Sequence, residues 1–360
     1  MKILFDISML YIDNLAKRGI YYFTYNLLKY IKYLNLVDLD IIPYPITIHP
    51  SIHDTMSLFR NIIKLSKQAN VDTLFIPHVR TFTHIFALYI FPKSINVVIH
   101  DVHFLMSQVS FLYKVKMLPR YMAIRDAVQL RDDIIITTVS KFSKWAIAYY
   151  LHIDPSRVFA IYPGVDEVFK PIDRIFASRF VKEKYGIEKP YFIYSGAVST
   201  RKGVHDLIEA FKVFNKNRNY MLVITGPLED VDLLKQIRTL NSVKYLGHVP
   251  RVDMPALFSA AVAAVFPSYH EGFGLPPLEA AACSTPVIAS RIPVFLETLA
   301  DAGIFVRPGD VEGIAYAMGM IADNEDLRVT HGLKALNRAR IFSWLNTAKE
   351  YVSLWRQMIA

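Results

Sequence analysis

A single cysteine, Cys283, stands among 360 residues. Neither an intramolecular disulfide nor a cysteine-based zinc site can be built from it, which suits a reducing compartment and makes the cytoplasm the expectation. Long hydrophobic runs are also missing. Even the uncharged stretch over residues 255–269 falls short of the roughly 18 to 20 apolar residues a membrane span requires. The opening MKILFDISML is interrupted by Asp6 and leads to no small-residue cleavage site, so it reads as a first buried strand and not as a signal peptide. Low-complexity tracts and short repeats are absent. Charge is scarce, at 20% of residues against 53% hydrophobic, and that balance excludes a disordered chain. Acids are the minority, 32 against 41 Lys and Arg, for a net charge of +9. The surface therefore favours an anionic partner such as nucleic acid, a phosphorylated substrate or acidic lipid. No helix-turn-helix, RNP or zinc-finger pattern accompanies the charge, which sets nucleic acid aside.

Short β-branched runs alternate with helical patterns along the chain: KILFDI, TLFI, NVVIH, DIIITTV, RVFAIY, YFIYSG, MLVITG, VKYLG, AAVFPS, PVIAS and IFVRP. That alternation predicts an α/β protein of parallel sheets with crossover helices. The best boundary lies within residues 163–190, where YPGVDEVFKPID closes one α/β run and the charged helix IFASRFVKEKYG opens the next. Two Rossmann-like domains are expected to face each other across a cleft, with chemistry in the loops after the strands. Residues 1–170 form the first domain and 171–341 the second, with a last helix over 342–360. Residues 102–125 carry Lys114, Lys116, Arg120 and Arg125 without an acid, interleaved with Phe104, Phe111 and Tyr113. Two readings stay open there: a helix packed on its sheet with a solvated basic face, or an amphipathic surface for anionic lipid.

The most informative stretch is PSYHEGFGLPPLEAAACSTPVIAS, residues 267–290. A strand ends at a loop with Gly272 and Gly274, and a helix begins at Leu275 or Pro276, where proline is tolerated. Free N–H groups and the positive end of the helix dipole make such a start a phosphate site. Glu271 and Glu279 flank it, one placed for a sugar and the other for a nucleoside. In SGAVSTRKGV a strand ends at Ser195 and Gly196, and Arg201 and Lys202 open a helix. The dipole disfavours two cations there, and a bound diphosphate would remove the conflict. His100 and Asp101 end the strand INVVI. Ser140 and Lys141 follow the strand DIIITTV near the expected cleft, and a helix cap explains the serine equally well. Cys283, among alanines, reads as packing.

The sequence EGFGLPPLE, followed by an alanine-rich helix and TPVIAS, resembles the retaining GT-B glycosyltransferases of family GT4. RGIYYFTYNLL, VVIHDVHFL, TVSKFSKW, IYPGVD, YFIYSGAVSTRKGV, YLGHVP and FSWLNTAKEYVSLWRQ continue the likeness in family order over nearly the whole chain. The resemblance implies that Glu271 contacts donor sugar hydroxyls, that Glu279 binds the ribose, and that Phe273, Gly274 and Leu275 offer N–H groups to the diphosphate. It makes Arg201 and Lys202 the donor phosphate pair and dispenses with a metal. It places His100 at the donor sugar and brings the last helix, with Trp344 and Trp355, back to the first domain. Gly19 falls where the family has a glycine-rich turn near the donor phosphate, but Tyr21 stands where a second glycine is frequent, so acceptor shaping is the alternative role. Glu297 corresponds roughly to an acid before a cleft loop.

The implied activity is a metal-independent, retaining transfer of a hexose from a nucleotide-diphosphate sugar to a glycan or lipid-linked acceptor in surface polysaccharide or lipopolysaccharide assembly. GDP-mannose is the first expectation for the donor, with UDP-glucose and UDP-N-acetylglucosamine behind it. The enzyme is expected in the cytoplasm, with peripheral contact at the inner membrane face left open. No other cofactor is expected. The alternatives are a phosphorylase or sugar-nucleotide epimerase on the same fold, or a non-catalytic scaffold that docks to membranes.

Overall fold

The structure is a computed structural model that describes residues 1–11, 19–45, 52–79, 82–102, 105 and 111–360, with only the backbone at 52–59, 82, 83, 111–114 and 116. Phe104, Phe111, Tyr113, Lys114 and Lys116, which figure in the basic segment, thus have side chains outside the described set. The chain divides into two compact units, residues 1–164 with 343–360, and residues 165–342.

The first unit holds a sheet of β1 (Lys2–Asp6), β2 (Asp40–Tyr44), β3 (Thr73–Ile76), β4 (Ser94–Val98), β5 (Ile134–Thr138) and β6 (Val158–Ala160), in the order β2-β1-β3-β4-β5-β6. Every pairing is parallel. β3 is buried on all four residues, as expected of a strand covered by helices on both faces. β2 escapes a reading by apolar runs because Pro43 interrupts it. Proline removes a ladder donor and is confined to edges, and β2 is an edge strand with Asp40 and Pro43 exposed.

The helix Trp344–Ile359 belongs to this unit. Its buried residues Trp344, Thr347, Ala348, Tyr351, Val352 and Trp355 recur every three or four positions, one face of a helix. Tyr351 and Trp355 set their rings 5.4 and 5.2 Å from Phe75. The contact is also polar. Trp355 Nε1 donates to Asn96 Oδ1 at 3.0 Å, and Tyr351 Oη donates to Thr137 Oγ1 at 3.2 Å. Asn96 Nδ2 donates to the Ile135 carbonyl and Thr137 Oγ1, so a fully buried amide in β4 is satisfied on both ends.

The second unit has β7 (Tyr191–Ser195), β8 (Met221–Thr225), β9 (Val243–Gly247), β10 (Ala263–Phe266), β11 (Val287–Ser290) and β12 (Gly303–Val306), all parallel, in the order β12-β11-β10-β7-β8-β9. Read from β9, this is the dinucleotide-fold order 3-2-1-4-5-6, whose direction of winding reverses between β7 and β10. Ligands in such sheets sit beyond the carboxyl ends of the strands at that reversal. The two loops that leave it are 196–203 and 267–274. The expected α/β class with Rossmann-like sheets is therefore what the chain forms.

Candidate active site

Gly196 and Gly226 end β7 and β8 in direct backbone contact: a Cβ on Gly226 would lie 2.0 Å from the Gly196 carbonyl oxygen. The chain beyond Gly196 reaches Arg201 and Lys202 in a single 3-10 turn, Thr200–Lys202. The α-helix starts later, at Val204. The expectation that the two cations open the helix is corrected by Gly203. Its φ of +66° breaks the run, and a Cβ there would meet the Pro267 carbonyl oxygen at 2.1 Å. That close approach binds the two loops together, and the Tyr269 N–H donates to the Arg201 carbonyl at 3.1 Å as a second tie.

Across this tie Lys202 Nζ donates to Glu271 Oε1 at 2.5 Å, with the two side chains 16% and 14% exposed. Ser268 Oγ donates to the same oxygen at 3.0 Å. Arg201 Nη1 donates to the His270 carbonyl at 3.2 Å, which turns its guanidinium toward the start of EGFG. The electrostatic conflict foreseen for two cations at a helix start is thus answered partly within the protein, by Glu271 and by Asp206 in the helix's first turn.

The helix Leu275–Ala282 begins at the first of the two expected positions. Gly274 precedes it with φ of +92°, where a Cβ would press on the Phe295 ring at 2.7 Å. Pro276 and Pro277 lack N–H groups, which leaves Gly274 and Leu275 as donors at the helix end. Phe273 is buried, its ring edge-on to Phe342 at 5.5 Å. Gly272 is half-buried beside it.

Glu279 lies on the same helix and is only 7% exposed. Burial pushes its carboxyl above the usual range, and Arg251 opposes that shift. Arg251 Nη2 meets Glu279 Oε1 at 2.8 Å, Arg251 Nε meets Asp166 Oδ2 at 3.3 Å, and the guanidinium lies 4.6 Å from the centre of the Phe169 ring. Arg251 and Asp166 were not singled out from the sequence. Arg251 directly follows YLGHVP and Asp166 ends IYPGVD, so both sat at the edges of recognised motifs, but only the fold pairs them with Glu279. A testable consequence follows from the raised carboxyl. The folded chain holds the Glu279 proton more tightly than the unfolded one, so this contribution to stability is complete below 4.5 and is lost as pH rises through the folded value. Arg251→Met removes the opposing charge and extends the loss. Its thermal midpoint is expected to fall more than the wild type's between about pH 5 and about pH 8, as read by thermal unfolding; parallel pH profiles would contradict the pairing.

In the first unit His100 follows β4. Its Nε2 lies 3.0 Å from the Pro77 carbonyl, and because a carbonyl only accepts, Nε2 carries the hydrogen and a neutral ring leaves Nδ1 as an acceptor. Burial lowers its pKa. Phe23 packs edge-on at 5.0 Å and His78 lies 5.8 Å away. Asp101 accepts, through its carbonyl, from Tyr121 Oη at 3.2 Å. Gly19 begins the helix Gly19–Tyr33, where an added Cβ would meet no atom of the described residues within 4 Å, and the turn before it lies outside the described residues. Ser140 caps the helix Lys141–Leu151, its Oγ accepting from the Ser143 N–H at 3.0 Å. Cys283 is buried, and burial raises its thiol pKa, as suits packing. Glu297 is half-buried, and its carbonyl accepts from Arg338. No group of three His, Cys, Asp or Glu among the described residues could hold a metal ion.

Residues 177–337, nearly the whole second unit, match the family of glycosyl transferases group 1. Over that span the second unit is similar to the family. Outside it the likeness continues: over 246 residues the chain is 29% identical to the O-antigen chain mannosyltransferase B of Escherichia coli, covering 66% of this chain and 64% of that protein. The O-antigen chain mannosyltransferase RfbU of Salmonella typhimurium is 30% identical over 222 residues, 61% of this chain and 58% of that one. The matches thus span less than two thirds of either relative. Among solved structures, HepE of Anabaena in complex with UDP and glucose superimposes with a TM-score of 0.75 at 17% identity, over 99% of both chains. That likeness is one of fold, and with the two parallel sheets it gives the chain a two-domain, Rossmann-like GT-B fold.

Proposed function

We propose that the protein is a nucleotide-sugar hexosyltransferase of surface-glycan assembly. The observation that carries the reading is the Lys202–Glu271 pair, tied by Gly203 to the EGFG loop at the winding reversal of a glycosyl transferases group 1 unit. A cation and two backbone N–H groups suit a diphosphate, and a carboxylate beside them suits sugar hydroxyls. In the reaction an acceptor hydroxyl attacks the anomeric carbon, the bond from that carbon to the diphosphate oxygen breaks, and the departing phosphate takes the hydroxyl proton. Lys202 and Arg201 stabilise the charge that grows on the leaving group. Glu279, held by Arg251, receives the ribose hydroxyls. The resemblance adds His100, with neutral ring, as a sugar contact, and retention of anomeric configuration.

GDP-mannose is the first donor to test, supported by two relatives named as mannosyltransferases. UDP-glucose is the second, supported by a structural neighbour solved with UDP and glucose. The acceptor is a glycan or lipid-linked glycan. The test supplies each donor with lipid-linked glycan acceptors and follows release of nucleoside diphosphate and the anomeric signal of the product by NMR. An α-linked product from an α-linked donor is expected. Release of sugar phosphate in the presence of inorganic phosphate would point instead to a phosphorylase, and inversion would contradict the retaining assignment.

Arg201→Ala is expected to lower kcat and kcat/KM alike, by roughly tenfold to a hundredfold, if the guanidinium acts mainly on charge developing at the diphosphate. Steady-state kinetics decide this, and a rise in KM alone would contradict it.

A further inference from the structure

Two side chains assigned above to opposite ends of one substrate are bound to each other. Lys202 is placed for the diphosphate and Glu271 for the sugar, yet Lys202 Nζ donates to Glu271 Oε1 at 2.5 Å, with both side chains mostly shielded from water. Among the described residues neither forms another ion pair. Arg201, the neighbouring cation, donates instead to the His270 carbonyl. A diphosphate that draws Lys202 to itself must therefore break a charge-assisted bond and leave a carboxylate in need of a new partner. How unfavourable that exchange is depends on what the ligand offers Glu271 in return.

A nucleotide that still carries its sugar offers hydroxyl donors. The carboxylate already takes one bond of that kind, from Ser268 Oγ at 3.0 Å, on a residue only 1% exposed. A spent nucleoside diphosphate has no sugar and offers Glu271 nothing. We propose that the Lys202–Glu271 pair selects loaded donor against spent nucleotide. Sugar hydroxyls draw Glu271 off Lys202 and release the cation to the diphosphate; once the sugar has passed to the acceptor, the carboxylate takes the lysine back and weakens the hold on the product. A ligand shifts such an exchange only by its differential affinity for the two arrangements, and only the sugar-bearing nucleotide has a contact for each member of the pair. This selection rests on the donor reading given above and deepens it.

The two residues are built for exchange. A lysine is a point charge on a flexible four-carbon stem, Lys202 ends a single 3-10 turn, and Glu271 lies between β10 and the helix Leu275–Ala282, outside any helix or strand. Glu279 is held differently. Its partner Arg251 engages Glu279 and Asp166 through separate nitrogens and lies over the Phe169 ring, so that guanidinium is fixed on three sides and serves as a standing support.

Calorimetric titration of wild type, Glu271→Gln and Glu271→Asp with GDP, GDP-mannose, UDP and UDP-glucose, in the absence of acceptor, tests the selection. Glu271→Gln leaves Lys202 to the diphosphate, and should bind the bare diphosphate about tenfold or more tighter than wild type does, the worth of one charge-assisted contact. Its affinity for the sugar conjugate should fall, so the preference moves toward the spent nucleotide. Glu271→Asp keeps the charge but shortens the arm by one methylene, and it should also tighten the diphosphate, by about threefold or more, as a weakened contact requires. It is the milder change, and it carries the test if Glu271→Gln does not fold. Under turnover, inhibition by the released diphosphate should strengthen in both variants by the factors seen in binding. Diphosphate affinity in Glu271→Gln no higher than in wild type would overturn the proposal. So would tightening in Glu271→Gln with none in Glu271→Asp, which would reduce the pair to plain repulsion between carboxylate and phosphate. Binding of no nucleotide by any of the three proteins would instead defeat the donor reading itself, and the selection with it.

Discussion

Replacing Lys202 with alanine is expected to lower kcat/KM for sugar transfer by about 100-fold to 1000-fold, the loss found when one preorganised charge-stabilising group leaves an active site. The size follows from burial. Lys202 and Glu271 lie 2.5 Å apart with most of both side chains shielded from water, so solvent does little to screen them. Without the lysine, the diphosphate loses a cation and meets an unneutralised carboxylate at the same place. Glu271→Gln keeps a group able to accept from Ser268 Oγ but loses the ion pair and the anionic sugar contact. The two substitutions share one interaction, so the double variant should be far less impaired than the product of the single losses. Steady-state kinetics on the four proteins test this. Activity of Lys202→Ala within about threefold of wild type would remove the pair from the mechanism.

The largest effect on stability is expected at a residue remote from the chemistry. A Cβ on Gly164 would lie 2.0 Å from the Trp344 backbone nitrogen and 2.6 Å from the Ser343 carbonyl carbon. Backbone atoms cannot swing aside as a side-chain tip can, so Gly164→Ala must displace the start of the helix Trp344–Ile359. That helix carries Trp344 against Phe23 at 5.8 Å, Tyr351 and Trp355 against Phe75, and the buried bond from Trp355 to Asn96. Overpacking and partial loss of such a face together cost about 3 to 5 kcal/mol. For a unit of this size each kcal/mol is worth roughly 2 to 4 °C, so the thermal midpoint should fall by roughly 6 to 20 °C. A midpoint within about 2 °C of wild type would show that the helix does not stabilise the unit in the way described. The remote Gly247→Ala is a useful contrast: its added Cβ meets nothing within 4 Å among the described residues, and the φ of +64° opposes it.

Much of this was legible in the sequence because parallel strands buried on both faces announce themselves as apolar runs. TLFI, AAVF and VIAS are strands buried at every position, and each stood out. β2 did not, since DIIPY is a half-exposed edge interrupted by proline. The EGFG loop and the helix after it were placed to within a residue, because glycine and proline report backbone geometry directly. The partners of the two glutamates were not legible. Lys202 and Glu271 are 69 residues apart in sequence, and Arg251 reaches Glu279 only because the loop after β9 returns beside the helix Leu275–Ala282. Spacing rules for helices and strands end within a few residues, so a pair joined by the winding of a sheet leaves no local trace. The same limit hid Gly203, whose need for a positive φ is set by the carbonyl of Pro267 in another loop.

The central claim is that the second unit is built for a nucleotide-diphosphate sugar, and calorimetric titration tests it most directly. Wild-type protein and Lys202→Ala would each be titrated with GDP, UDP and dTDP, and with GDP-mannose and UDP-glucose. The account predicts saturable binding of one base family by the wild type, with affinity for its diphosphate at least about tenfold weaker in Lys202→Ala, as loss of a charge-assisted contact worth 1.5 to 3 kcal/mol requires. No binding of any nucleotide, or equal binding by both proteins, would contradict it.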